Sequence, residues 1–422
     1  MKSEASFEKR SLLLFGFSML TNVVNYAFQI LSARALTVAD YGLLNTIISI
    51  IFILGVPGQA FQLYVAKTVS EKESGGGGSR LFVAGFAVFT AVVVCGMLAV
   101  GLALSPVIDG AMSVGSLALC ALMTACVAVA YPRYVATGVA QGLQRFVIMP
   151  VITMIEAVLK VAGIGFAVLF VTGGDRLFAM LIFLALGSVL AVVFGWFALR
   201  RKLGGDKPSF SEAIGGLRES VRRGRLLGAS LALNLCVVFM MYSDVLIVRL
   251  RFDEGVSGLY GSAAQFGKIL VFAVTALINV FLPMVSRSNM SDKGGVVPLY
   301  LRALLYILLT SAVFMAPILL FPGQIVSILV GGKYISAVGY INYSCAIGVS
   351  TTLNMLNMNY AVARGRLRFP LAVSVAGAAL AFWLGYNQTS PEAIAVCVAS
   401  VGGAVFVINM IYIIKGDGSR EQ

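Results

Sequence analysis

Residues 81–105 read LFVAGFAVFTAVVVCGMLAVGLALS, a run without Asp, Glu, Lys or Arg. As a helix rising 1.5 Å per residue, such a run of about 25 residues spans the roughly 30 Å hydrocarbon core of a bilayer. Its apolar residues cover every face instead of recurring at amphipathic spacing, so the segment suits surroundings of lipid and other helices. Comparable blocks recur to either side, at 11–31, 41–66, 113–132, 147–171, 177–199, 226–248, 258–283, 301–321, 338–363, 369–386 and 392–414. The chain is therefore expected to be an all-α polytopic membrane protein with about twelve transmembrane helices.

Composition agrees, with 59% hydrophobic against 12% charged residues and a mean hydropathy of +0.95. A soluble chain of 422 residues would need polar surfaces for roughly two or three domains. A net charge of +13 would suggest nucleic acid in a soluble protein, but here Lys and Arg fall mainly between the apolar blocks, and no nucleic-acid partner is expected. If the N-terminus is cytoplasmic, that side carries about 24 Lys and Arg against about five opposite: Arg34, Arg176, Arg249, Arg251 and Lys333. The bias predicts an inner-membrane protein with both termini in the cytoplasm. The N-terminal segment reads as an uncleaved first helix, since its apolar run exceeds a signal h-region and no convincing cleavage site follows.

Histidine is absent, which removes His metal sites, Ser-His-Asp triads and His proton relays. The six cysteines lie in apolar segments without CxxC spacing and read as packing residues. Neither a metal nor a cofactor is expected. The Gly75–Gly78 run lacks the GK[ST] of a phosphate loop and reads as a flexible cytoplasmic turn.

The longest connection, 200–225, places Phe210, Ile214, Leu217 and Val221 on one helical face, with Ser209 and Glu212 at capping-box spacing. An interfacial helix there would join an N-terminal lobe, 1–199, to a C-terminal lobe, 226–422. The halves show repeat signals. Tyr41-Gly42 opens the second span and Tyr260-Gly261 the eighth, while Gly142-Leu143-Gln144-Arg145-Phe146 and Gly365-Arg366-Leu367-Arg368-Phe369 lead into the fifth and eleventh. Six spans per half is even, so the repeat would be parallel, with a pseudo-two-fold axis along the membrane normal.

Ionisable residues within spans are costly and usually line a cavity or pair with each other. Glu156 and Lys160 stand at i, i+4 in span five, in the favourable order for an ion pair. They either neutralise each other or line a substrate path. Asp244 lies toward the outer end of span seven, followed by Arg249 and Arg251, which either snorkel to the interface or serve a ligand. Lys268 lies too deep in span eight for a comfortable interface residue, with Gln265 just before it. Asn22, Asn25 and Gln29 form a polar stripe on span one that ends at Arg34, and span ten carries Asn342, Asn354, Asn357 and Asn359. Such stripes knit helices together or bind ligands.

Cations thus outnumber carboxylates among the deeper and outer charges, which suits an anion such as phosphate. Candidate substrate-binding residues are Arg34, Arg249, Arg251, Lys268, Lys160, Asn25 and Gln265. Asp244 and Glu156 are left as carriers of a coupling H+ or Na+ or as structural partners.

The stretch 31–43 (LSARALTVADYGL), 138–146 (GVAQGLQRF), Ser243-Asp244 with Gly258-Leu259-Tyr260-Gly261, Pro283, and Val330-Gly331-Gly332-Lys333-Tyr334 resemble the polysaccharide biosynthesis proteins of the multidrug/oligosaccharidyl-lipid/polysaccharide exporter superfamily, the Wzx-like flippases. The resemblance implies two six-helix lobes in a V, as in the multidrug and toxin extrusion (MATE) fold, with spans one, two, seven and eight bounding a central cavity. It also implies transfer of an undecaprenyl-diphosphate-linked oligosaccharide from the cytoplasmic to the periplasmic leaflet by alternating access, with a glycan polymerase or other export machinery as a partner. The family's cationic cavity maps onto Arg34, Arg249 and Lys268, whereas Glu156 and Lys160 lie outside the inner spans. Alternatives are a cation-coupled multidrug exporter of the same superfamily, which should favour acidic cavity residues, and a membrane enzyme of lipid-linked sugar metabolism. The enzyme would want a large external loop, but the longest, between spans nine and ten, has about 16 residues with Lys333 its sole charge.

Overall fold

The computed structural model describes residues 2–74, 79–145, 147–200, 225–288 and 296–418. Among these residues it is helical throughout, with connecting turns: α1 Lys2–Ala35, α2 Val38–Ser74, α3 Ser79–Met112, α4 Leu117–Gly142, α5 Ile148–Phe170, α6 Arg176–Leu199, α7 Arg225–Arg251, α8 Glu254–Ser288, α9 Val296–Leu320, α10 Pro322–Leu329, α11 Val338–Arg364, α12 Arg368–Tyr386 and α13 Pro391–Gly418. Each of the twelve expected spans falls on one long helix. Nine helices, among the described residues, are long and apolar enough to cross a membrane. Helix α11 is not among the nine, because buried Thr351, Thr352, Asn354 and Asn357 dilute its apolar run. The expected linker helix lies at 201–224, outside the described residues, as does the Gly75–Gly78 turn.

Two differences from the sequence reading have physical causes. The fourth span was expected to stop at 132, where Pro132, Arg133 and Tyr134 interrupt the apolar run, yet α4 continues to Gly142. Proline is tolerated inside a membrane helix when neighbouring groups satisfy the freed carbonyl. The connection between spans nine and ten is structured as well. Pro322 stands in the first turn of α10, and Gly331, at φ 107°, turns the chain into a 3-10 helix, Gly332–Ala337.

The contacts divide the chain into two compact units, residues 1–36 with 54–227 and residues 37–53 with 228–422. In the first, α5 packs on α6 and α1, and α4 on α3 and α6. The quoted GVAQG segment forms a small-xxx-small face: a Cβ at Gly138 or Gly142 would stand 2.5 Å from the Gln62 carbonyl oxygen or 2.6 Å from that of Ala66, both on α2. Side-chain bulk is excluded there so that the two helices can approach closely.

In the second unit α8 and α11 form the central pair, α13 packs on α11, and α12 packs on α13. A Cβ at Gly267 would collide with the Ser344 carbonyl, and one at Gly348 with the Gly267 carbonyl. The start of α2 meets the start of α8 in the same way, since a Cβ on Gly42 would lie 2.7 Å from the Gly258 nitrogen. Tyr41, fully buried, meets the Tyr334 ring edge-on at 5.5 Å. The ADYG, LYG and GGKY segments therefore converge in this unit. Asn354 and Asn357 donate to the Gly402 and Phe406 carbonyls, and Tyr300 OH donates to Asn357 Oδ1 at 2.6 Å. The α11 stripe thus knits helices together at those two positions. The matched GLQRF and GRLRF segments each hold a left-handed residue, but at different places, Gln144 at φ 53° and Gly365 at φ 66°.

Gly267→Val should lower stability by about 1–3 kcal/mol through overpacking of the α8–α11 crossing, read as a lower thermal midpoint of the detergent-solubilised protein. Gly96→Ala, where a Cβ meets nothing within 4 Å, should leave the midpoint unchanged or slightly raised.

Candidate functional site

The second unit buries one acid and two bases in its described interior. Asp244 of α7 is 2% exposed, Lys268 of α8 5% and Arg249 of α7 5%. Tyr260, a fully buried residue two turns before Lys268, donates its hydroxyl to Asp244 Oδ2 at 2.8 Å. Among the described residues, Asp244 Oδ1 and Lys268 Nζ have no hydrogen-bond partner. Both residues line one cavity of about 10 Å³, together with Met241, Ala264, Gly267, Ser344 and Gly348. That volume admits about one water molecule. The Lys268 ammonium also lies 4.3 Å from the Tyr242 ring centroid, a cation–π contact that offsets part of its lost hydration. A charge at the centre of a membrane helix costs about 3 kcal/mol on insertion scales. Gathering acid, base, phenol and ring at one helix junction reduces that cost for both charges.

Gln265 points to another partner and donates to Asn45 Oδ1 at 2.5 Å, while Asn45 donates to the Tyr41 carbonyl. This pair ties the start of α2 to α8. Arg249 Nη2 lies 3.6 Å from Glu254 Oε1. Arg251 is exposed, with its guanidinium 5.1 Å from the Tyr386 ring centroid, apart from the Asp244 cavity.

The first unit holds a second cluster. Glu156 Oε2 forms an ion pair with Arg133 Nε at 2.5 Å, and its Oε1 lies 4.0 Å from Lys160 Nζ. Lys160 Nζ donates to Asn25 Oδ1 at 2.6 Å and stands 5.5 Å from the Phe28 ring centroid. The three charged side chains are 14–17% exposed. The i, i+4 pair in the sequence is thus the longer of the two contacts to Glu156. Arg133, counted in the sequence among the cytoplasmic connections, instead lies inside α4 with its head group on Glu156. The reason is the continuation of α4 past Pro132. Arg34 sits exposed in the last turn of α1.

Among the candidates, then, Asn25, Glu156 and Lys160 meet in one unit and Asp244 and Lys268 in the other. Arg133, Tyr260, Tyr242 and Asn45 belong to these networks but were not singled out in the sequence. Tyr260 had a legible signal, an aromatic hydroxyl on the polar α8 at a matched repeat position; Asn45 and Tyr242 had little to distinguish them from packing residues. Tyr260→Phe keeps the ring but leaves Asp244 without its donor. We expect a loss of about 1–3 kcal/mol in unfolding stability in detergent, and a Tyr260→Phe/Asp244→Asn double variant less destabilised than the sum of the single changes.

A sequence profile of the family "Polysaccharide biosynthesis protein" matches residues 8–289. No curated protein matches by sequence. Among solved structures, an inward-facing multidrug resistance MATE family transporter of the MOP superfamily superposes with a TM-score of 0.75 at 11% identity, covering 94% of this chain and 95% of that one. The lipid II flippase MurJ, inward closed, superposes at 0.71 and 12% identity, covering 96% and 87%. A MOP superfamily transporter from Pyrococcus furiosus, described as having a binding pocket of reverse polarity, superposes at 0.60 and 14% identity, covering 98% and 95%. These likenesses establish the fold, that of multi-pass MOP-superfamily membrane proteins. With the profile spanning well over half of its length, the chain belongs to the polysaccharide biosynthesis protein family.

Proposed function

We propose that this protein is a flippase that carries a polyprenyl-diphosphate-linked oligosaccharide from the cytoplasmic to the periplasmic leaflet of the inner membrane by alternating access, with both of its own termini in the cytoplasm. The observation that carries the reading is the sign of the interior charge. In the second unit buried Lys268 and Arg249 outnumber Asp244, the one carboxylate buried among the described residues, and in the first Arg133 and Lys160 face Glu156. A diphosphate and its sugars cannot enter hydrocarbon unaided, whereas cations in a low-dielectric setting bind phosphate oxygens more strongly than in water. Family membership in polysaccharide biosynthesis and a fold shared with a lipid II flippase support the same substrate class. A multidrug exporter for cationic compounds would call for the opposite excess.

No covalent step is required, so the protein acts as a transporter and not as an enzyme. Asp244 and Glu156 are the carboxylates available to a coupling H+ or Na+. Arg249 and Lys268 are assigned to the diphosphate, while Arg251 on Tyr386 and Gln265 on Asn45 serve positioning. A glycan polymerase or other export machinery would receive the delivered lipid.

In proteoliposomes, wild-type protein should move a short-chain lipid-diphosphate oligosaccharide between leaflets, and Lys268→Ala and Arg249→Ala, recovered folded, should each lose tenfold or more of the rate, on the order of one charge-assisted contact of 1.5–3 kcal/mol. Full activity in both variants would remove these residues from the mechanism. Absence of transport by the wild type would sink the substrate assignment.

A further inference from the structure

The clusters around Asp244 and Glu156 are balanced differently. At Asp244 one acid and one ammonium share a water-sized cavity, and Asp244 is 2% exposed. At Glu156 one acid meets two cations, so the cluster carries one net positive charge. Arg133 takes the close contact at 2.5 Å, leaving Lys160 at 4.0 Å. The short bond of Lys160, 2.6 Å, goes to the neutral amide oxygen of Asn25. That bond fixes the direction of the ammonium without cancelling its charge. Phe28, 5.5 Å away, contributes a weak ring attraction only.

A cluster with one cation in excess among membrane helices is costly and is retained where a counter-charge visits. The site is also reachable: the Arg133, Glu156 and Lys160 side chains keep 14%, 17% and 15% of their surface exposed, unlike Asp244. Glu156 meanwhile limits the attraction, because a cluster of two bare cations would hold an anion too firmly to release it.

We infer that Lys160, aimed by Asn25 and supported by Arg133, is the seat of a single phosphate-type oxyanion in the first unit, with Glu156 setting its strength. This rests on the flippase reading for its natural occupant, one phosphate of a lipid diphosphate headgroup; a free inorganic diphosphate offers the same oxygens.

The test is binding of inorganic diphosphate and of farnesyl diphosphate to the purified full-length protein in detergent, alongside thermal midpoints. Lys160→Gln should weaken binding tenfold or more, on the order expected of one charge-assisted contact. Glu156→Gln should tighten it several-fold, by removing the competing carboxylate. Asn25→Asp is the decisive variant, because it sets a carboxylate beside the Lys160 ammonium. It should weaken binding about tenfold while leaving the thermal midpoint unchanged or raised, a pairing of effects that a purely structural cluster would not produce.

Unchanged affinity in folded Lys160→Gln and Asn25→Asp, weaker binding in Glu156→Gln, or no binding by the wild type would each overturn the seat. The variant pattern with farnesyl diphosphate alone would identify a lipid headgroup, and with inorganic diphosphate alone a free anion. Glycan transport by the wild type without this binding pattern would leave the flippase reading standing and sink the seat. The binding pattern without glycan transport would do the reverse.

Discussion

The second unit depends on the crossing of α8 and α11 at Gly267 and Gly348. Neither helix can carry a side chain at that point, because each glycine lies against backbone of the other helix. Without water to satisfy exposed amides, membrane helices gain cohesion from close van der Waals approach and from polar groups that find partners across the interface. The crossing supplies the first and organises the second. Lys268 follows Gly267 directly, and Ser344, whose carbonyl lies against Gly267, lines the same small cavity as Lys268 and Asp244. A lysine that would be prohibitive on a lipid-facing surface becomes tenable because the neighbouring backbone closes over it. The buried polar residues of α8 and α11 and the glycines that let these helices meet are parts of one arrangement.

The same economy explains why intramembrane acids occur with named company. Asp244 has the Tyr260 hydroxyl and Lys268; Glu156 has Arg133 and Lys160. Their partners differ in origin. The Asp244 group is drawn from two consecutive helices, α7 and α8. The Glu156 group comes from α4 and α5, with α1 contributing Asn25 to Lys160. Losing one partner leaves the remaining charge buried with less compensation, which is more damaging than the modest net worth of the pair itself.

Much of the fold was legible in the sequence because lipid imposes a coarse requirement: about twenty apolar residues in succession. Nine of the long helices, among the described residues, answer to that signal, and the boundaries moved where flanking polar residues continued the helix beyond the hydrocarbon-like run, as at α1 and α2. The site was less legible. Depth and residue type singled out Asp244, Lys268, Glu156 and Lys160, but partnership depends on which faces meet. Spacing within one helix suggested Lys160 as the partner of Glu156, and a residue 23 positions earlier, Arg133, holds it more closely. Proline beside that arginine looked like the end of a span. Hydropathy cannot distinguish a helix that stops at proline from one that runs on through it.

Helix α2 has a consequence of its own. Its residues up to Ile53 cluster with the second unit and those from Leu54 with the first. Pro57 has no amide hydrogen, and the carbonyl that would have received it, four residues earlier, belongs to Ile53. The next carbonyl, that of Leu54, accepts the Tyr131 hydroxyl at 2.5 Å from α4. Gly55 and Gly58 beside it lie against the ring of Tyr134. The ladder of this 37-residue helix thus lacks a rung at the residue where its allegiance changes, and a change of direction there severs fewer hydrogen bonds than it would in an unbroken helix. In the vocabulary of mechanical linkages, α2 is a shaft with a flexure cut into it, and α4 provides the bearing.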